Sequence, residues 1–274
     1  MCGIIGCASK GVKVAPILHL GLKRLEYRGY DSAGIATVDG NSIHVKKDSG
    51  KIDEIHERLN LDDLPGSIGI AHTRWATHGA PSQANAHPHL DCDKRIAVVH
   101  NGIIENFLEL KEELLDRKHV FSSKTDTEVI AHLIEENMKE GRGLLEAVTV
   151  AVRRLRGSYA LAVISADEPN KIVFARKESP LVLGVGDEMN FMASDVAAFI
   201  EHTRKVIFIE DGEAGYITPS EIKVYKLETE MEVRKRVVEL DWTPEMAMKS
   251  GYPHFMLKEI YEQPHAIREA LKAQ

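Results

Sequence analysis

Apolar positions along the chain alternate between two kinds of spacing. Short apolar runs bounded by glycine or polar clusters read as buried strands; they fall at Cys2–Ala8, Ala33–Val38, Ile43–Lys47, Ile68–Thr73 and Ile96–His100. Elsewhere apolar residues recur every three to four positions, the signature of an amphipathic helix. This spacing predicts helices over Val12–Glu26 (Ile17, Leu18, Leu22 and Leu25 on one stripe), Glu105–Arg117 (Phe107, Leu110, Leu114), Thr127–Met138 and Leu144–Leu155. Beyond Gly157 the strand pattern returns at Tyr159–Ser165, Ile172–Ala175, Leu181–Gly184 and Val206–Ile209, and a final hairpin is expected through Val224 and Val237. Strands, then consecutive helices, then strands do not make the alternation of parallel βαβ units. They predict α+β layers, with two helix-covered sheets a natural solution. Near Leu240 the periodicity breaks at Asp241-Trp242-Thr243-Pro244 and Ser250-Gly251-Tyr252-Pro253, both linker-like, before a last amphipathic stretch from Phe255 to Leu271. The expected division is a domain over 2–240 and, over 241–274, a linker with the start of a further domain.

Composition narrows the function classes. A chain of 274 residues with 43% hydrophobic residues can bury a large core. Its net charge of −7 gives no electrostatic reason to expect nucleic acid or an anionic membrane as partner. No apolar run approaches the roughly 18 residues of a membrane span, and Met1-Cys2-Gly3-Ile4-Ile5-Gly6 lacks the flanks of a secretory signal. Cys2, Cys7 and Cys92 are the only cysteines, which suits a reducing cytoplasm.

Four segments could carry chemistry. Removal of Met1 would leave Cys2 with a thiol and a free α-amine, whose reference pKa of about 7.7–8.0 suits a general base. One residue could then supply nucleophile and base, although, taken by itself, a small buried side chain starting a strand is the simpler account. His72-Thr73-Arg74-Trp75-Ala76-Thr77-His78-Gly79 places an arginine at a strand end, where it could hold a carboxylate by a two-pronged pair, with Trp75 as cover. A surface arginine and a core tryptophan are the plain alternatives. Asn101-Gly102 after an apolar run is first a turn signal; an Asn amide and the following N–H could instead form an oxyanion hole. Thr125 and Glu128 have the spacing of a capping box, which would leave Asp126 available for a cation unless Asp126 is itself the cap. His87, His89 and Cys92 share one loop, but with Pro88 between the histidines and no second cluster, no metal is expected.

Together these segments resemble the glutaminase domain of glutamine–fructose-6-phosphate aminotransferases (glucosamine-6-phosphate synthases), which are class II, N-terminal-nucleophile amidotransferases. The resemblance rests on Met1-Cys2-Gly3-Ile4, Arg24-Leu25-Glu26-Tyr27-Arg28-Gly29-Tyr30-Asp31-Ser32-Ala33-Gly34, Gly69 through Gly79, Asn85-Ala86-His87-Pro88-His89, Val99 through Asn106, Thr125 through Ile130 and Lys258 through Pro264. It implies a four-layer αββα sandwich of the N-terminal-nucleophile hydrolase type and no cofactor. It also implies roles. Cys2 attacks the glutamine amide with its α-amine as base, and Asn101 and Gly102 stabilise the oxyanion. Arg74 holds the substrate carboxylate and Asp126 its ammonium, while Trp75, Thr77 and His78 shape the glutamine loop. L-glutamine is the implied partner, with fructose 6-phosphate bound only by a further domain of a full-length enzyme, expected to be a homo-oligomer. No glycine-rich phosphate cradle followed by a helix is found here, so this chain alone is expected to free ammonia and form no amino sugar. A phosphoribosyl amidotransferase glutaminase and a non-catalytic interaction module are the alternatives, and release of glutamate separates the last from both enzymes.

Overall fold

The computed structural model describes residues 2–241 and 252–272. In chain order its strands are β1 (Gly3–Ser9), β2 (Ser32–Asp39), β3 (Ser42–Ser49), β4 (Ile68–Arg74), β5 (His89–Leu90), β6 (Ile96–Ile104) and β7 (Gly157–Ser165). These are followed by β8 (Ile172–Lys177), β9 (Val182–Val185), β10 (Met189–Ala193), β11 (Lys205–Phe208), β12 (Glu213–Ile217), β13 (Ile222–Lys226) and β14 (Val238–Glu239). Helices α1 (Ala15–Leu25) and α2 (Ile52–Leu59) come early, and α3 (Phe107–Asp116), α4 (Glu128–Lys139) and α5 (Leu144–Arg153) form the central run. Helix α6 (Phe255–Lys272) contains Pro264 and closes the described chain.

The strands form two antiparallel sheets, ordered β14-β11-β9-β10-β1-β4-β2-β3 and β13-β12-β8-β7-β6-β5. The central strands are apolar on both faces, and the two-residue period of a strand sorts their side chains into separate layers. On β1, Ile5 and Cys7 pack with Leu18, Leu22 and Leu25 of α1. Ile4 and Ala8, of opposite parity, pack into the layer between the sheets with Val99 of β6 and Ala160 and Ala162 of β7. On β7, Leu161 and Val163 point outward against Val129, Ile130 and Val148 of α4 and α5. The result is helix, sheet, sheet, helix: the α+β αββα sandwich expected.

Three expectations need correction. Val224 and Val237 do not share a hairpin: Val224 lies on β13, paired with β12 in one sheet, whereas the residue after Val237 pairs with Val206 of β11 in the other. Asn101-Gly102 is not a turn but lies inside β6, opposite Ala160 and Tyr159 of β7. Thr125 caps nothing: the residue preceding α4 is Thr127, without a side-chain cap bond, and Thr125 Oγ1 meets His89 Nε2 at 3.0 Å. Glu128 instead reaches back to the N–H groups of Ser122 and Ser123, each at 2.7 Å. The linker expected around 241–253 lies largely outside the described residues.

Candidate active site

Strand parity brings the candidate residues to one end of the inter-sheet layer. Cys2 precedes β1 and has the parity of Ile4; His72 and Arg74 on β4 have that of Ile70; Asn101 on β6 has that of Val99. Ile4, Ile70 and Val99 all face the space between the sheets, so the side chains of these four residues converge there. The register completes the placement, because Gly3 pairs with Thr73, setting Cys2 beside the end of β4.

The Trp75 N–H donates to the Cys2 Sγ at 3.2 Å, and the thiol is 3.5 Å from the Trp75 carbonyl oxygen. Burial raises the pKa of the thiol, and the Trp75 N–H opposes that shift. The Asn101 Nδ2 donates to the Cys2 carbonyl at 3.0 Å. A carbonyl can only accept, so the amide nitrogen must face Cys2 and the Asn101 Oδ1 must face away. The oxygen meets His72 Nε2 at 3.1 Å, and the same nitrogen lies 3.1 Å from the His100 carbonyl. Two acceptors at one ring nitrogen fix the proton there. His72 is fully buried, and that burial drives its pKa down to about 3, so it is a neutral donor that locks the amide of Asn101. No sequence signal separates His72 from a core histidine; its two-residue spacing from Arg74 at the strand end is the available clue. Gly102 has φ +130°, and a Cβ there would sit 2.0 Å from the Ser158 carbonyl oxygen, so only glycine fits.

A second group lies beside the first. Arg74 is 4% exposed, its Nη2 donates to the His78 and Gly79 carbonyls, and its Nη1 is buried without a hydrogen-bond partner. The Asp126 Oδ2 accepts from the Ile104 N–H at 2.9 Å, and its Oδ1 lies 4.0 Å from His78 Nδ1. Burial lowers the pKa of Arg74, and the charges of Cys2, Asp126 and Asp31 oppose that shift. Asp31 anchors the loop after β4 by accepting from the Ala76 N–H at 2.7 Å. Trp75 is 47% exposed and meets Tyr30 edge-to-face, with ring centroids 5.6 Å apart. Thr77 is exposed on that loop and makes no hydrogen bond to the other candidates. The loop histidines do not gather with Cys92: His87 stacks on His72 and His89 binds Thr125, while Cys92 faces His119 and His132.

A family model for the glutamine amidotransferase domain matches residues 72–201. The chain is 56% identical over 271 residues to the glutamine–fructose-6-phosphate aminotransferase (isomerizing) of Thermococcus kodakarensis, covering 99% of this chain and 45% of that protein. The chain carries a glutamine amidotransferase domain. The chain is also 49% identical to the glutamine–fructose-6-phosphate aminotransferase of Aquifex aeolicus, again over 99% of this chain and 45% of the relative. It thus spans about half the length of the curated relatives it matches. Among solved structures it resembles the glutamine phosphoribosylpyrophosphate amidotransferase of B. subtilis, with a TM-score of 0.71 and 27% identity over 83% of this chain and 50% of that one. The sandwich is therefore of the N-terminal-nucleophile amidotransferase type, and the higher identity lies with the aminotransferases rather than with the phosphoribosyl enzymes. Among the described residues, no helix is long and apolar enough to cross a membrane.

Proposed function

We propose that this chain hydrolyses the side-chain amide of L-glutamine with Cys2 as nucleophile. The observation that carries the proposal is the seating of Cys2 between the Trp75 N–H and an Asn101 amide whose orientation His72 fixes. With Met1 removed, the α-amine of Cys2 takes the thiol proton as sulfur attacks the amide carbon. The oxyanion would be received by the Asn101 Nδ2, which already lies beside Cys2, and by the Gly102 N–H. Collapse expels ammonia as the amine returns its proton; water then attacks the thioester, and glutamate leaves. The unpartnered Nη1 of Arg74 is the receptor for the substrate α-carboxylate, and Asp126, through the Oδ1 that faces His78, that for the ammonium. Trp75, Thr77 and His78 belong to the loop that closes over the substrate.

The relatives' name supports a second step in the whole protein: transfer of the released ammonia to fructose 6-phosphate on a domain outside this chain. With few cysteines and an acidic surface, the reducing cytoplasm is the compartment we assign to it. The test follows glutamine consumption with the purified chain. Glutamate and ammonia should appear in equal amounts, and Cys2→Ala should abolish both while leaving the fold intact by circular dichroism. Glutamate release by Cys2→Ala at the rate of the parent would refute the assignment.

A further inference from the structure

A second cluster of chemistry-bearing side chains lies on the far side of β6, among the helices. Cys92 sits in the loop between β5 and β6, His119 follows α3, and His132 and Glu135 stand one turn apart on α4, on one helix face. The Cys92 Sγ lies 3.5 Å from His119 Nδ1 and 3.6 Å from His132 Nδ1. The two Nδ1 atoms are 3.1 Å apart, and the Glu135 Oε2 lies 3.0 Å from one and 3.1 Å from the other. Both histidine side chains are 1% exposed and that of Glu135 is 4% exposed.

Hydrogen bonds alone do not explain this packing. A ring nitrogen has one in-plane orbital and serves one partner well, yet each Nδ1 has three potential partners converging on it. A single cation at their common centre satisfies all four atoms. The separations fit zinc: bonds of about 2.3 Å to sulfur and about 2.0–2.1 Å to nitrogen, arranged tetrahedrally, place nitrogens roughly 3.3 Å from each other and roughly 3.6 Å from sulfur. Charge fits as well, since a thiolate and a carboxylate neutralise the dication and leave both imidazoles neutral.

The surroundings are those of a metal site. Carboxylates lie near the outward nitrogens, with His119 Nε2 2.9 Å from Glu136 and His132 Nε2 3.8 Å from Glu128, although neither nitrogen makes a hydrogen bond. The Val120 N–H points at the Cys92 Sγ from 3.5 Å. Lys139 occupies the second oxygen of Glu135 at 2.7 Å. Cys92 is the exposed member and gives an ion its way in. The donor set of thiolate, two imidazoles and carboxylate favours zinc over magnesium or calcium.

We propose that Cys92, His119, His132 and Glu135 bind one structural zinc ion, which ties the β5–β6 loop to α4 behind the Asp126 segment. The purified chain should contain one zinc per molecule by mass spectrometry of the elements. Zinc K-edge absorption should show one sulfur at about 2.3 Å with lighter ligands at about 2.0–2.1 Å. Removing the metal with a chelator should lower Tm by about 5 °C or more, and added zinc chloride should restore it. Cys92→Ser, a change at an exposed position, should fold and lose at least tenfold in zinc affinity, as should His132→Asn. A chain that carries no zinc and takes none up, zinc retained equally by Cys92→Ser, or a first shell without sulfur would each overturn the site. All these readouts are independent of glutamine turnover.

Discussion

At Cys2 and Asn101 the proposed chemistry depends on which atom faces which. Asn101→Ala removes the only side-chain donor to Cys2 among the described residues and should lower kcat by roughly 10²–10³ with little change in KM; a pure KM effect would point to substrate binding instead. His72 acts through Asn101, so it is a positioning residue. His72→Leu should lower kcat through a freed amide, while His72→Gln, which can place an N–H near the same spot, should recover part of the loss. Equal loss in both would indicate a purely structural role. Cys7 shares β1 but faces α1 and has no amine of its own, so Cys7→Ala should keep the parent kcat. Candidate roles for Cys2, Arg74 and Asn101 came from their types and neighbours together with the family resemblance. The role of His72 was not, because it depends on a contact across two sheets.

Among the elements, β6 and the loop leading into α4 carry the strictest demands. The Asp126 carboxylate serves the Ile104 N–H at the end of β6 as well as facing His78. Asp126→Asn keeps an acceptor for that N–H, so it should raise KM for glutamine, at a cost of about 1.5–3 kcal/mol for a lost charged contact, with Tm nearly unchanged. Asp126→Ala should raise KM and also lower Tm, since it leaves the buried Ile104 N–H unmet. An unchanged KM in the Asn variant would make Asp126 a strand-end anchor and nothing more. The central helices and inner strands were legible because their periodicity is long and their faces separate cleanly. Short α2 and five-residue β10 and β12 offered too few turns or alternations to register. Asn101-Gly102 misled because a positive-φ glycine inside a strand has the same local signature as a turn; the pairing with β7 that settles it is non-local. The capping-box spacing failed for a similar reason: tertiary contacts with His89 and with Ser122 and Ser123 claimed both side chains.

At the scale of the molecule, four histidines are packed neutral at the active-site end of the sandwich. Burial depresses His72 to about 3 and lowers His87, His89 and His100; Arg74 and Lys47 add to the effect, while Glu128 and Asp126 oppose it. Unfolded histidine titrates near about 6.5, so the stability from these groups is present above that pH and is lost as pH falls below it. The loss is about 1.4 kcal/mol per pH unit for each histidine that stays neutral in the fold. The urea midpoint should therefore drop steeply between about pH 6.5 and 5, above the range where unfolded carboxylates titrate; a flat profile would mean that these rings are charged or solvated. The whole fold, in this view, exists to bring the start of the chain to the ends of β4 and β6 with Cys2 as its first residue. The most direct test is intact mass and glutamate release measured on the same sample. Activity should scale with the fraction of molecules lacking Met1; full activity in molecules that retain Met1, whose Cys2 nitrogen is an amide with no basic lone pair, would contradict the N-terminal nucleophile.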